Sequence, residues 1–349
     1  MTTIRDVARH AGVSIATVSR VVNGQTAIRP ETRDRVQSSI DALGFRPNAI
    51  GRSLKAGTSR VLGVMVPTLA NPVFAEAVEG LQQTARAAGY GVMVTTSDYD
   101  MATERAAVET LMVGRVDALV LTVTDPTWPD TADWLAAINR PVVLIYNQPG
   151  SRPTVTVDNA RAGAAAAELF LTRGHRNLAM VTGSLSASDR ARARWDGFAD
   201  RLRQAGMPAP EMVEIPFAEA DLTAVLAPLA GRVGGPTGLF CSNDLIALRA
   251  IAALRALGLR VPDDMSLVGF DGIATGSLID PTLSSVSQPS RTMGETAARL
   301  VLSELAGGVA EPVTILPHRL VEGGSVGSPP KATRLSLSDT PTNPGVAST

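Results

Sequence analysis

The sequence predicts an all-α helix-turn-helix headpiece followed by an α/β body of two Rossmann-like lobes. Short helical segments with capping residues occupy the first 45 positions. From Val61 onward, short apolar strands alternate with helical stretches, and this series occurs twice. Repeated strand–helix units predict parallel sheets that are covered by helices on both faces. A chain of 349 residues is long enough for two or three such domains.

Composition narrows the class of protein further. Hydrophobic residues make up 45% of the chain and charged residues 19%, which is typical of a soluble α/β protein with a large core. No apolar run reaches the roughly 18 residues that span a bilayer, and the N-terminus lacks the layout of a secretory signal. The single cysteine, Cys241, excludes an internal disulfide framework. We therefore expect a cytoplasmic protein with no membrane partner.

The net charge of −1 conceals an uneven distribution. Residues 1–60 contain 10 basic and 4 acidic side chains, whereas the remainder of the chain is acidic. A small basic module suggests a polyanionic partner, although a solvated basic face with no partner would give the same pattern.

Capping and turn residues define three helices in the headpiece. Thr3-Ile4-Arg5-Asp6 has the form of a capping box at the start of the first helix. Gly12 supplies a tight turn, and Ser14 caps the second helix. The third helix begins near Pro30 and is stopped by Gly44. This arrangement indicates a helix-turn-helix unit, although a three-helix bundle with no nucleic-acid role shares it.

The outward face of the second helix carries short or apolar side chains and one guanidinium group. Arg20 can make a bidentate contact with a guanine edge, while Ile15 and Ala16 can touch thymine methyl groups. Four nearby residues have hydroxyl or amide groups that suit phosphate oxygens, namely Ser14, Thr17, Ser19 and Asn23.

Residues 3–8, 11–14 and 17–23 resemble, almost residue for residue, the headpiece of the lactose-repressor (LacI/GalR) family. The resemblance implies that the second helix reads bases in the major groove through Ile15, Ala16 and Arg20. It also implies phosphate contacts by Thr3, Ser14, Thr17, Asn23 and Thr32. The implied partner is a pseudo-palindromic operator in double-stranded DNA, read by a homodimer. The tail has no leucine heptad, so a dimer is expected instead of a tetramer.

Residues 46–58, between the headpiece (1–45) and the body, resemble the family's hinge helix. Leu54 matches the apolar wedge that members insert into the minor groove, and we count it with the base-reading residues. Gly51 stands where many members have alanine, and glycine costs about 1 kcal/mol in a helix interior. We therefore predict a hinge that depends strongly on DNA for its folding. The alternative is a plain linker with one exposed leucine.

The body resembles the family's two-lobed sensor, which is periplasmic-binding-protein-like, and the resemblance extends from residue 2 to about residue 326. Parallel sheets bind ligands beyond the carboxyl ends of their strands, where this sequence is rich in hydrogen-bonding groups. The resemblance implies effector contacts for Arg194, Asn243 and Asp271. The full effector-binding set that we predict is Phe74, Tyr146, Asn147, Arg194, Phe217, Asn243, Asp271 and Gln288.

Two further arginines lie close to Arg194. Arg190 and Arg192 favour a carboxylated or phosphorylated ligand if they face the cleft. The alternative, which we prefer from sequence alone, is a solvated helix start.

Family sensors have three crossovers between their lobes, which implies approximate domain limits here. Lobe 1 is expected at 59–157 and 288–318, and lobe 2 at 158–287 and 319–326. The segment from Gly323 onward is rich in Gly, Pro, Ser and Thr, so we predict disorder there, with residues 327–349 as the tail.

Two rival classes are weaker. An enzyme would explain the G-x-S-x-G sequence at 323–327, but no histidine follows His318 and a nucleophile elbow needs one. Three histidines and one cysteine offer no metal-ligand cluster, so we predict no catalytic residue, metal or cofactor. A periplasmic sugar-binding protein would share the two lobes but not the basic headpiece. The sequence therefore predicts a DNA-binding transcriptional repressor that is controlled by a small-molecule effector, a sugar or sugar derivative, bound between the lobes.

Overall fold

The structure, a computed structural model, describes residues 2–22, 28–45, 58–217, 221–230 and 232–330. Asn23, nearly all of the predicted hinge with Gly51 and Leu54, and the tail beyond residue 330 lie outside the described residues. The chain divides into two compact units, Met1–Ser59 and Arg60–Thr349.

The headpiece contains α1 (Ile4–Ala11), α2 (Ile15–Val22) and α3 (Pro30–Ala42). The capping box at Thr3 and Asp6 is present, and Gly12 has the left-handed conformation, φ 63°, that glycine adopts without strain. Both features confirm the prediction. The inward faces of the three helices meet in a small core of Val7, Ala8, Ala11, Val18, Val36 and Phe45.

In the body, helices and strands alternate as the sequence predicts, except at two places. The helices are α4 (Pro72–Ala87), α5 (Met101–Val113), α6 (Pro129–Ala137), α7 (Asn159–Thr172), α8 (Asp189–Gln204), α9 (Thr223–Ala230), α10 (Asp244–Ala256) and α11 (Ser290–Leu305). The strands are β1 (Val61–Val66), β2 (Gly91–Thr96), β3 (Ala118–Leu121), β4 (Val142–Ile145), β5 (Thr154–Val157), β6 (Leu178–Thr182), β7 (Glu211–Glu214), β8 (Gly238–Cys241), β9 (Ser266–Asp271), β10 (Ser284–Ser287), β11 (Val313–Leu316) and β12 (Arg319–Val321). The two exceptions are that β4 leads directly to β5 and β11 directly to β12. Within the described residues, no helix combines the length and apolarity that a membrane crossing requires.

Two six-stranded sheets form the centres of the two lobes. The first has the order β11-β5-β4-β3-β1-β2 and is parallel throughout. The second has the order β12-β10-β9-β8-β6-β7 and is parallel except for β12, which runs antiparallel to β10. Central strands such as β3 and β9 are buried along their whole length, as expected for parallel strands covered on both faces.

The chain passes between the lobes three times. It leaves the first sheet after β5, returns after β10 to form α11 and β11, and crosses again to add β12 to the second sheet. As a result, α11 packs against α4 in the first lobe, although more than 200 residues separate them in sequence.

Close helix pairs reinforce each lobe. In the first lobe, Gly80 of α4 and Gly294 of α11 lie against the backbone of the other helix, and in the second lobe Gly163 of α7 and Gly197 of α8 do the same. A Cβ atom at Gly163 would lie 2.0 Å from the carbonyl oxygen of Arg194. Glycine is therefore required where these helices touch.

The prediction of disorder from Gly323 onward is wrong for residues 323–330. Ser325 is fully buried, its Oγ donates to the Leu267 carbonyl at 2.6 Å, and it accepts from the Ser284 amide at 2.8 Å. Gly327 donates its amide to Ser266 Oγ at 3.1 Å. The polar side chain of Ser325 thus hydrogen-bonds to backbone groups of β9 and β10, so the Gly- and Ser-rich composition does not indicate disorder here.

Candidate functional site

The second helix of the headpiece has one face that suits a partner. Val18 is fully buried, whereas Ile15, Ala16 and Arg20 on the opposite side are exposed. Ile15 leaves 46% of its surface in water, so a partner that covered it would gain hydrophobic burial. The three predicted base-reading residues of α2 therefore share one accessible face.

The residues predicted to contact phosphates differ in how many hydrogen bonds their polar groups already make within the protein. Ser14 Oγ accepts from the Thr17 amide at 3.1 Å and lies 2.9 Å from Thr17 Oγ1, at the exposed start of α2. Thr3 donates both its amide and its hydroxyl to Asp6 Oδ2, at 2.9 and 2.7 Å. A phosphate at Thr3 would have to displace this carboxylate. Ser19 and Thr32 are half-buried.

In the body, a cavity of about 230 Å³ lies between the two lobes, beyond the carboxyl ends of the strands. The first lobe contributes residues that follow β1, β2 and β4, and the second lobe contributes residues that follow β6 to β10 together with the start of α8. Seven of the eight predicted effector residues line it, namely Phe74, Tyr146, Arg194, Phe217, Asn243, Asp271 and Gln288.

Asn147, the eighth predicted residue, does not line the cavity. It is fully buried, with its Nδ2 donating to the Val123 carbonyl at 2.7 Å and to Asp189 Oδ2 at 3.0 Å, while its Oδ1 accepts from the Val123 amide. The side-chain amide of Asn147 thus satisfies the backbone of Val123 outside the cavity, and its bond to Asp189 links the first lobe to the second.

The cavity is surrounded by unusual backbone conformations. Four of the six described non-glycine residues with positive φ line it: Asp98 (51°), Tyr99 (60°), Tyr146 (71°) and Asp271 (113°). Such conformations cost about 1–3 kcal/mol each and persist where the surroundings fix them, often at ligand-binding sites.

Arg194 is held rigidly in the cavity wall. Its Nε donates to Asn159 Oδ1 at 2.9 Å, its Nη1 donates to the Ser242 carbonyl at 2.7 Å, and its guanidinium lies 3.4 Å from the centre of the Phe270 ring. Burial lowers the pKa of this group to about 10, so it remains positively charged at neutral pH. A fixed cation is well suited to orient a ligand.

Asp271 connects the two lobes across the cavity. Its Oδ2 accepts from Asn71 Nδ2 at 2.9 Å, and its Oδ1 accepts from Gln288 Nε2 at 2.7 Å. Asn71 also caps α4 by accepting from the Val73 amide. Burial raises the pKa of Asp271, and the positive charge of Arg194 opposes this rise.

A second set of contacts joins the lobes beside the cavity. Asp189 Oδ2 accepts from Asn147 and from the Gln148 amide, at 3.0 and 2.7 Å. Arg192 forms an ion pair with Asp125 at 2.9 Å. These contacts and the Asp271–Asn71 contact each link a residue of one lobe to a residue of the other, so a change in the lobe angle must break or rearrange them.

Sequence reasoning undervalued Arg190 and missed Tyr99. Arg190 is only 5% exposed and lines the cavity, whereas the preferred interpretation was a solvated helix start. The Tyr99 ring lies 4.4 Å from the Phe217 ring, so this pair joins the two lobes. Burial raises the pKa of Tyr99 to about 12. An aromatic residue directly after the strand-end pair Ser97-Asp98 was the available signal.

Ser325 and His175, which belong to residue types that could serve in catalysis or metal binding, are hydrogen-bonded within the second lobe. The hydroxyl of Ser325 is used inside the second lobe, as described above. His175 contacts Thr237 Oγ1 at 2.8 Å and the Gly327 carbonyl at 3.1 Å. Within the described ranges, no cluster of three or more His, Cys, Asp or Glu side chains could hold a metal ion.

Comparison with known proteins covers both parts of the chain. The lacI family of bacterial regulatory proteins matches residues 3–48, and a periplasmic binding protein-like domain matches residues 167–326. The HTH-type transcriptional repressor PurR of Yersinia pestis (strain Pestoides F) is 31% identical over 338 residues, which cover 95% of this chain and 98% of that repressor.

Two solved structures share the architecture. The lac repressor dimer bound to operator and the anti-inducer ONPF has a TM-score of 0.82 at 26% identity, covering 94% of this chain and 99% of that one. The transcriptional regulator CelR in complex with cellobiose has a TM-score of 0.66 at 27% identity, covering 93% and 100%. These similarities confirm the predicted fold class. The chain therefore belongs to the lacI family of bacterial regulatory proteins.

Proposed function

We propose that this protein is a homodimeric transcriptional repressor whose affinity for a pseudo-palindromic operator is set by a carbohydrate-like effector in the cavity between its lobes. The observation that carries the proposal is the cavity itself. Its wall contains Asp271, which joins the lobes directly through Asn71. A ligand that competes for these groups changes the contact that fixes the two lobes.

On the DNA side, the exposed face of α2 supplies the reading groups. Arg20 recognises a guanine edge, and Ile15 and Ala16 pack against bases. Ser14, Thr17, Ser19 and Thr32, with Asn23 and Thr3, position the headpiece on the phosphates. Leu54 is proposed to wedge into the minor groove. The relative that is bound to operator as a dimer, the lac repressor, supports this assignment.

On the effector side, the cavity combines aromatic rings with buried hydrogen-bonding groups. Phe74 and Tyr146 are in edge contact at 5.2 Å, and Tyr99 and Phe217 contribute a second pair. This combination suits a polyhydroxylated ligand with apolar C–H faces. The relative that is complexed with cellobiose supports a sugar or sugar derivative.

The proposed mechanism is a coupling free energy between the cavity and the headpiece. The ligand binds one lobe angle more tightly than another, and the favoured angle changes how the two hinge segments of a dimer meet the operator. We propose no catalytic residue and no cofactor. The place of action is the cytoplasm, because the proposed partner is chromosomal DNA.

Operator selection from random DNA with the full chain tests the DNA part. We expect a pseudo-palindromic consensus. Arg20→Ala should cost about 1–3 kcal/mol on that consensus and relax preference at one base pair in each half-site. Fluorescence anisotropy with single-base operator variants measures both effects.

The matched control is Arg35→Ala, which removes the same charge from an exposed position of α3. It should leave the base preference intact. Equal weakening of Arg20→Ala on every sequence would make Arg20 a phosphate contact, and a dimer that binds no sequence specifically would contradict the proposed function.

A further inference from the structure

Arg190 and Arg194 lie one turn apart on α8 and face the same cavity. Both are only 5% exposed, and both line the cavity. Two buried like charges at this spacing repel each other, and water does little to screen them. Cations near the start of a helix are also disfavoured by its dipole. An anion that lies between the two groups offsets this repulsion.

The guanidinium of Arg190 makes only weak contacts with the protein, among them the Tyr99 ring, whose centre lies 5.8 Å from the Arg190 Cζ. Its Nη1 lies 3.4 Å from the Val123 carbonyl and 3.5 Å from Asp189 Oδ1, both long for a charged pair. The carboxylate of Asp189 instead accepts shorter bonds from Asn147, from the Gln148 amide and from the Arg190 amide, at 3.0, 2.7 and 2.7 Å. Arg190 therefore keeps strong donors for a ligand.

Most hydrogen-bond acceptors in the cavity wall, by contrast, already accept hydrogen bonds from other protein groups. Both oxygens of Asp271 accept from protein amides, and Asn243 Oδ1 accepts from the Ile246 amide at 2.8 Å. Gln288 Oε1 is buried with no partner among the described residues, so it offers one acceptor for a ligand hydroxyl. This balance fits a ligand that has many acceptors and some hydroxyl groups.

The charges limit the ligand further. The two arginines lie near the buried carboxylates of Asp189 and Asp271, and Arg190 also lies near the buried carboxyl of Glu104, whose pKa is raised by burial to about 7. A singly charged carboxylate adds one negative charge to this set of charges, whereas a phosphate ester adds up to two. The smaller excess favours the carboxylate.

We propose that the effector is a small polyhydroxylated carboxylate, the acid form of a sugar, and that Arg190 is the residue that selects its carboxylate group. This inference rests on the proposed function, because it names the class of ligand for the same cavity. Arg194 then orients the ligand from the neighbouring turn of α8, and the Tyr99–Phe217 pair covers its C–H faces.

Isothermal titration calorimetry on the full chain tests the proposal with matched pairs of probes. The pairs are glucuronate with glucose, galacturonate with galactose, and gluconate with sorbitol, and glucose 6-phosphate represents phosphate esters. We expect at least one acid to bind ten times or more tighter than its uncharged partner. In Arg190→Gln this ratio should fall to near one.

The control is Arg203→Gln, which removes a charge from the same helix at an exposed position, and it should keep the full ratio. Thermal unfolding of each variant verifies that it is folded. Equal binding of acid and uncharged sugar, an unchanged ratio in Arg190→Gln, or binding of the phosphate ester alone would overturn the proposal. An uncharged sugar that binds and alters operator affinity would leave the proposed function standing. Binding by none of the probes would overturn both the sugar acid and the carbohydrate effector.

Discussion

Charged side chains around the cavity are buried together, and Asp244 shows the consequence most clearly. Its Oδ1 accepts from Ser285 Oγ at 2.7 Å and its Oδ2 from the Ile273 amide at 2.8 Å. Burial, with the nearby Asp271 charge, raises the pKa of Asp244 from 3.8 to about 7. The folded chain therefore holds a proton on this carboxyl at pH values where the unfolded chain has lost it.

This proton makes stability depend on pH in a definite direction. Below pH 3.8 both states are protonated, and stability is lost as the pH rises from there to about 7. We predict that Asp244→Asn, which cannot ionise, has a shallower decline in the free energy of unfolding between pH 5 and pH 7. Urea unfolding across this range measures it. The exposed-carboxylate control, Asp263→Asn, should keep the wild-type slope, and an equal slope in Asp244→Asn would contradict the prediction.

At the residue scale, the sequence predicted best those side chains whose position at the end of a strand determines their role. It identified Asn243 and Asp271 because each stands at the end of a strand, whereas Arg194 was identified through the resemblance to the family's sensor. It undervalued Arg190, because the start of a helix is normally solvated, whereas here Val123 and Tyr99 of the opposite lobe help to bury the side chain. Asn147 follows a strand, as a ligand-binding residue would. Its side-chain amide is instead hydrogen-bonded to the N–H and the carbonyl of Val123, which the sequence does not reveal.

At the scale of elements, the strand and helix series was predictable because hydrophobic period and capping residues are local signals. Residues 323–330 were not, since a Gly- and Ser-rich segment resembles a disordered tail until it meets a strand edge that needs its donors. The close pairing of α7 with α8 was equally invisible, because the requirement for glycine at 163 arises from the backbone of the other helix.

The α7–α8 contact also fixes the cavity arginines, which leads to a test. In Gly163→Ala the new methyl group would lie 2.0 Å from the Arg194 carbonyl, so the helices must separate. We expect a loss of about 1–3 kcal/mol in unfolding free energy and weaker effector binding. Gly91→Ala is the control, because its Cβ would lie 3.9 Å from the nearest atom. Wild-type stability and affinity in Gly163→Ala would show that the helix contact is adaptable.

At the scale of the whole molecule, the three chain crossings connect the two lobes of the body covalently. The contact of Asp271 with Asn71 joins them, and so do the contacts of Asp189 with Asn147 and Gln148. A ligand in the cavity touches the first of these contacts directly. A change in lobe angle is therefore the route that we propose for the action of a small molecule on a DNA-binding dimer.

The central claim is thermodynamic coupling between the cavity and the operator, and reciprocal titration tests it most directly. Operator affinity of the full chain is measured by fluorescence anisotropy with and without saturating ligand, and ligand affinity is measured with and without saturating operator. We predict that both affinities change, by the same factor of about 5–150, as linkage requires. An operator affinity that is unaffected by a ligand bound in the cavity would contradict it.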